Sequence, residues 1–148
     1  TWEGGLRVPG IVRWPERIPA GQVSAEMASA LDLFPTLVRA AGGTIPDDRP
    51  MDGYDLMPLL GGQQASPRKE LFYFIIRNLE GVRQENWKLR IATAGQGEPP
   101  AQPELYDLDR DPGERLNVAA DHPDVVQRLR ARLEEFRAQI PPAEGGSG

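Results

Sequence analysis

The run Leu71-Phe72-Tyr73-Phe74-Ile75-Ile76 (LFYFII) decides the fold. Aromatic and β-branched residues suit a pleated, half-buried surface, so this run predicts a strand. Gly81–Gln84 and Trp87–Ala92 read as two further strands. Glu85-Asn86 between them is short enough for a hairpin turn, though it lacks the favoured glycine. Beyond a loop at Thr93–Pro103 (TAGQGEPPAQP), Glu104–Leu108 (ELYDL) reads as a fourth strand. A helix over 122–140 follows, about five turns long at 3.6 residues per turn. Asp121 or His122 stands at its cap, Pro123 in its first turn, and Pro141-Pro142 at its end. Val125, Val126, Leu129, Leu133, Phe136 and Ile140 form one apolar stripe, and Arg128, Arg130, Arg132, Glu134, Glu135 and Arg137 take the other face. The pattern predicts an α+β fold, a small four-stranded antiparallel sheet packed against a long C-terminal helix.

Upstream of the sheet, Asp32–Ala41 is the clearest element. Asp32 is a good N-cap residue, Pro35 falls in the first turn, and Gly42-Gly43 supplies the stop. Leu33, Phe34, Leu37, Val38 and Ala41 recur at helical spacing, so the helix over 32–41 is expected to bury that stripe. Short strands are expected at Val8–Trp14, where Pro9 and Gly10 argue for a sheet edge, and around Ala25–Ala30. Glu3-Gly4-Gly5 reads as a loop, Thr44–Asp55 as an acidic loop, and Leu56–Leu60 as one helical turn stopped by Gly61-Gly62. The tail Ala143–Gly148 is expected to be disordered.

Composition narrows the function classes. The 148 residues carry 17 Lys+Arg against 22 Asp+Glu, a net charge of −5, with no basic run to neutralise phosphates; nucleic-acid binding is not expected. No apolar stretch approaches the ~20 residues that span a bilayer, so no membrane span is expected. No basic segment precedes an apolar run as in a secretory signal. Pro 15 and Gly 16 make a turn-rich chain, still below the roughly 25–30% of a low-complexity one. With Cys 0 and His 1, disulfides, zinc-thiolate sites, cysteine nucleophiles and multi-histidine metal sites are excluded from this chain. Lys69 and Lys88 are the only lysines beside fifteen arginines, the trace of a GC-rich coding genome and a bacterial source.

Residue chemistry alone yields no complete active site. Asp107, Asp109 and Asp111 open like a calcium loop, but Pro112 takes the place of the required glycine and Val118 that of the closing glutamate; a turn at Asp111-Pro112-Gly113 is the better reading. His122 reads as a helix-start residue rather than a general base, and Ser66-Pro67-Arg68 as a structural loop without a partner base. Asp47, Asp48, Asp52 and Asp55 read as a solvated acidic loop rather than a cation site. Glu3-Gly4-Gly5-Leu6-Arg7 differs, because its charges flank a double glycine that allows close backbone approach to an anion. A Glu3–Arg7 ion pair bracing the loop would give the same pattern.

TWEGGLRVP (Thr1–Pro9) resembles the loop-and-strand motif of the sulfatase family, in the arylsulfatase and galactosamine-sulfate sulfatase branch. The resemblance continues in order through IVRWPERIPAGQVS (Ile11–Ser24), SALDLFPTLVRAAGG (Ser29–Gly43), MDGYDLMPLLGG (Met51–Gly62), ASPRKELFYF (Ala65–Phe74), GVRQENWKLR (Gly81–Arg90) and ELYDLDRDPGERLNVA (Glu104–Ala119). It implies an alkaline-phosphatase-like fold in which residues 1–62 complete the large α/β core and 63–142 form the C-terminal sheet and helix, with 143–148 a tail. It also implies hydrolysis of sulfate monoesters by a formylglycine made from the Cys or Ser of a (Cys/Ser)-x-Pro-x-Arg motif. Calcium held by Asp/Asn ligands would bind the sulfate.

The chain departs from that pattern where the chemistry lies. It has no Cys, Ser66-Pro67-Arg68 has the wrong spacing, and no acids match the family's metal-ligand motifs. The family's sulfate-binding Lys stands a few residues before the position of Thr1. No catalytic and no metal-binding residue therefore carries over, only Trp2, Glu3, Gly4, Gly5 and Arg7 as the loop beside the active site. Thr93–Pro103 resembles in position a variable segment near the substrate rim. The expected role is that of a structural C-terminal fragment, inactive alone, whose partner is the rest of the sulfatase chain and whose uncovered core face invites self-association. A stand-alone binding module, or a fragment of a related phosphonate or phosphodiester hydrolase, are the alternatives. The resemblance suggests a periplasmic or extracellular location.

Overall fold

The computed structural model describes residues 1–91 and 102–140. Its elements in chain order are α1 (Glu3–Leu6), α2 (Leu33–Ala40), α3 (Met57–Leu60), β1 (Glu70–Ile75), β2 (Asn78–Gln84), β3 (Trp87–Arg90), β4 (Glu104–Asp107) and α4 (Pro123–Gln139). They fall into two compact units, Pro9–Lys69, and Thr1–Val8 with the chain from Glu70 onward.

In the second of these, the four strands lie side by side in sequence order, each antiparallel to the next. Alternation along the strands sorts the side chains onto two faces. Leu79, Val82, Leu89 and Leu105 meet Val125, Leu129 and Leu133 of α4 in one cluster. Burying each such side chain contributes roughly 1.5–3 kcal/mol. Val82 and Leu79 share this face although three residues apart, because the β1–β2 register slips between Tyr73 and Phe74 and leaves Glu80 unopposed. Phe72 stacks on Phe136 at 3.7 Å between ring centroids, closing the cluster at one end. Arg132, expected on the solvated face of the helix, instead clamps Glu70 with bonds of 2.8 and 2.6 Å and ties α4 to β1. That pairing holds the Glu70 carboxyl below its ordinary value, against the smaller opposing effect of burial.

Several expectations are corrected. Val8–Trp14 forms no strand: it joins no ladder among the described residues, the Trp14 carbonyl serves only a turn to Arg17 and Ile18, and Ile11 is 95% exposed. A strand exists only through its partner's hydrogen bonds, and apolar content cannot supply one. Ala25–Ala30 is likewise not a strand; the chain there enters a 3₁₀ turn at Ala30–Asp32. Glu3-Gly4-Gly5 is a single helical turn rather than an open loop. The helix expected over 32–41 is present as α2, but its stripe is not buried. Leu33, Phe34 and Leu37 stay exposed, and Pro35 and Thr36 are the buried pair. Asp32 is not its side-chain cap. Ser29 accepts from the Leu31 N–H while Asp32 accepts from the Ser29 N–H, a capping box one turn earlier. Ala92, all of the Thr93–Pro103 loop except Gln102 and Pro103, and the tail from Pro141 onward lie outside the described residues.

Candidate functional site

The sheet face turned away from α4 carries the charges. Tyr73 on β1, Arg83 on β2, Lys88 and Arg90 on β3 and Tyr106 on β4 alternate with the core residues, as the pattern Trp-Lys-Leu-Arg requires of a strand. Thr1, Trp2 and Glu3 lie against this face. The Trp2 ring lies 4.3 Å from the Arg90 guanidinium carbon and 5.9 Å from the Tyr106 ring.

Glu3 is the centre of the arrangement and is 4% exposed. Its carboxylate accepts from the Tyr73 hydroxyl at 2.8 Å and from Lys88 Nζ at 2.9 Å, with Arg83 3.7 Å away. Its backbone N–H donates to Glu114 Oε2 at 2.6 Å. Lys88, wholly buried, also donates to the Thr1 carbonyl at 2.7 Å and sits 2.7 Å from Glu114 Oε1. Glu114 reaches in from the turn after β4 with a left-handed φ of 53°, a conformation few glutamates adopt. Burial pushes the Glu3 carboxyl upward, but the hydrogen bonds from Lys88 and Tyr73 and the charges of Lys88 and Arg83 outweigh it and hold it below its ordinary value. Burial also drives the Tyr73 hydroxyl well above its ordinary range, with the Glu3 charge adding to it, so Tyr73 serves as a proton-bearing donor.

The structure thus gathers Trp2 and Glu3 from the expected set, and leaves the others apart. Arg7 ends the turn and is exposed, and Glu3 pairs with Lys88 rather than with Arg7. Gly4 and Gly5 have open space where a Cβ would stand. Lys88 and Glu114 were missed by the sequence reading. For Lys88 a signal existed, a lysine set midway in an apolar strand; for Glu114, far away in a turn, there was none.

The remaining candidates are structural. Asp107 accepts from Asn86 and from the Asp109 N–H, and Asp111 from the N–H groups of Arg115 and Leu116, which is turn chemistry. His122 starts α4 without a side-chain cap bond and packs on Trp87 at 4.8 Å. Asn86, Trp87, Asp107, Asp111 and His122 line an open cleft of about 400 Å³ whose carboxylates are already engaged. In the unit Pro9–Lys69, Ser66 is buried and donates to the Met27 carbonyl, while Arg68 pairs with the fully buried Asp32 through Nε at 3.0 Å. Asp48 pairs with its neighbour Arg49 at the surface, and Asp55 accepts from the Met57 N–H. Among the described residues no three His, Cys, Asp or Glu side chains converge as a metal site, and no helix is long and apolar enough to cross a membrane.

Residues 1–139 match the family model described as N-sulphoglucosamine sulphohydrolase, C-terminal. The chain is similar to steryl-sulfatase of Mus musculus, 38% identical over 97% of this chain and 28% of that protein. It is likewise 38% identical to arylsulfatase A of Homo sapiens, over 97% of this chain and 32% of that one. N-acetylgalactosamine-6-sulfatase of Canis lupus familiaris is 32% identical over 97% of this chain and 33% of its own length. Among solved structures, a sulfatase from a Bacteroides thetaiotaomicron locus for metabolism of multiple glycosaminoglycans superposes with a TM-score of 0.71 at 30% identity, over 92% of this chain and 30% of that one. A sulfatase from Pseudoalteromonas sp. shares the fold with a TM-score of 0.77, over 93% of this chain and 31% of that one. The 148 residues therefore span about a third of the length of the relatives they match.

Proposed function

The chain belongs to the sulfatase family, of whose members it matches the C-terminal part, and on that premise we propose that it is the C-terminal portion of an arylsulfatase-like sulfuric ester hydrolase and plays a structural role there. In this reading it seats the turn Trp2, Glu3, Gly4, Gly5 and Arg7 beside a catalytic centre built by the preceding chain, and does no chemistry alone. The observation that carries it is the Glu3 seat. A motif expected to border the active site is held on a sheet by buried charges, while the chain has no Cys and no Ser at the spacing of the formylglycine motif.

A formylglycine nucleophile and a calcium ion belong to the same proposal but not to these residues, which do not fit them. There is no Cys, and Ser66 is buried against Met27. Glu3 and Glu114 are taken up by Lys88, and Asp32 by Arg68. The exposed stripe of α2, an apolar face made by Leu33, Phe34 and Leu37, supports a partner in the rest of the sulfatase chain, with self-association when that is missing. A bacterial source and a periplasmic or extracellular location complete the proposal.

The test compares the purified 148-residue chain with the protein from the complete reading frame, using an aryl sulfate. Sulfate esters leave slowly without a nucleophile and stabilisation of the departing oxygen, so only the complete protein should turn over. Turnover by the 148 residues alone, or a complete protein that cleaves phosphonate esters or phosphodiesters in preference, overturns it.

A further inference from the structure

We propose that Lys88 and Glu114 are positioning residues for catalysis, fixing the height of the Gly4–Gly5 backbone where it faces the reacting ester. This rests on the reading that the turn Trp2–Arg7 borders the catalytic centre.

A wholly buried lysine is an odd choice for packing. A buried ion pair replaced by apolar residues of similar volume often leaves stability unchanged or raised. What the ions supply and a hydrophobe cannot is direction. Lys88 donates to the Thr1 carbonyl and Glu114 accepts from the Glu3 N–H, so the pair grips the backbone on both sides of Trp2. The grip is stiff, because Lys88 and Glu114 bind each other as well as the turn, and Glu114 holds a left-handed φ to do so.

The glycines supply the second observation. Gly4 and Gly5 sit in a helical turn, where glycine is the poorest ordinary residue. Neither takes a left-handed φ, and, their own turn and chain neighbours apart, no atom of the described residues stands within 4 Å of where their Cβ would be. Nothing among the described residues calls for glycine at either position. The clearance serves something that approaches from outside, and the grip beneath holds that surface still.

The test uses the complete sulfatase with an aryl sulfate. Gly5→Ala should leave thermal stability unchanged or raised while kcat/KM drops at least about tenfold. Lys88→Met should drop kcat about a hundredfold, the cost of a displacement of about 1 Å, with a much smaller change in KM. Glu114→Gln, which keeps an oxygen for the Glu3 N–H, should fall between Lys88→Met and wild type. Leu129→Ala, destabilised by its core cavity, should retain kcat and so separate lost stability from lost position. If Gly4→Ala and Gly5→Ala keep full activity, the reading of the turn as active-site border fails. If Gly5→Ala loses activity but folded Glu114→Gln or Lys88→Met keeps wild-type kcat, the positioning role fails.

Discussion

Arg68 and Asp32 stand 36 positions apart in sequence and meet in the interior of the unit Pro9–Lys69. Burial works to raise the Asp32 carboxyl, but Arg68 and the N–H groups of Tyr54 and Ser29 hold it below its ordinary value. Arg68→Met should cost about 3–5 kcal/mol in urea unfolding, because it leaves a fully buried carboxylate unpaired. Gly53 has a different constraint. A Cβ there would fall 2.1 Å from the Leu31 carbonyl oxygen, so Gly53→Ala must push backbone apart, at a cost of about 1–3 kcal/mol in the same measurement. The capping box at Ser29 and Asp32 was missed, because Asp32 followed by Pro35 reads as a helix start one turn later. The Arg68 contact was not legible, since no local pattern marks a partner so far along the chain.

Elements were read more securely than their surroundings. β1 to β4 and α4 lie within three residues of where aromatic runs, hairpin length and the apolar stripe put them, β2 starting at Asn78 rather than Gly81 and β1 ending before Ile76, because those signals report the periodicity of the backbone itself. Leu133→Ala should cost 2–5 kcal/mol at about the usual range for a buried leucine, since α4 is anchored to β2 and β3 through this side chain and its neighbours. Periodicity does not report what covers a stripe. Leu37 at 64% exposure shows the difference, for the helix is there and its apolar face is open. Leu37→Ser should shift unfolding of the 148-residue chain by less than about 0.5 kcal/mol, while reducing any self-association seen by analytical ultracentrifugation. Val8–Trp14 failed as a strand for the related reason that a strand's partner is not written in the strand.

At the scale of the whole molecule, acid is the most direct probe. Glu3 and Asp32 both titrate below their ordinary values of 4.5 and 3.8 when folded. Each therefore contributes stability that is fully present above its ordinary value and is lost as the pH falls through the lowered one. Unfolding free energy should hold level from neutral pH down to about 5 and fall steeply below 4.5. The Glu3→Gln variant should flatten the part of that fall due to the Lys88 cluster. Family membership was legible because seven segments occur in order, whereas the clustered charges were not, because Glu3, Lys88 and Glu114 come together only once the sheet is formed.

The bond between the Glu3 N–H and Glu114 joins groups 111 residues apart. A ribosome making this polypeptide releases the EGG segment long before this acceptor exists, so the Glu3 N–H goes unpaired until Glu114 has emerged. Loop-closure entropy rises only slowly with such a span, and the delay is thus one of timing more than of stability. A truncation between Arg90 and that glutamate keeps Tyr73 and Lys88 but leaves the Glu3 N–H without its acceptor.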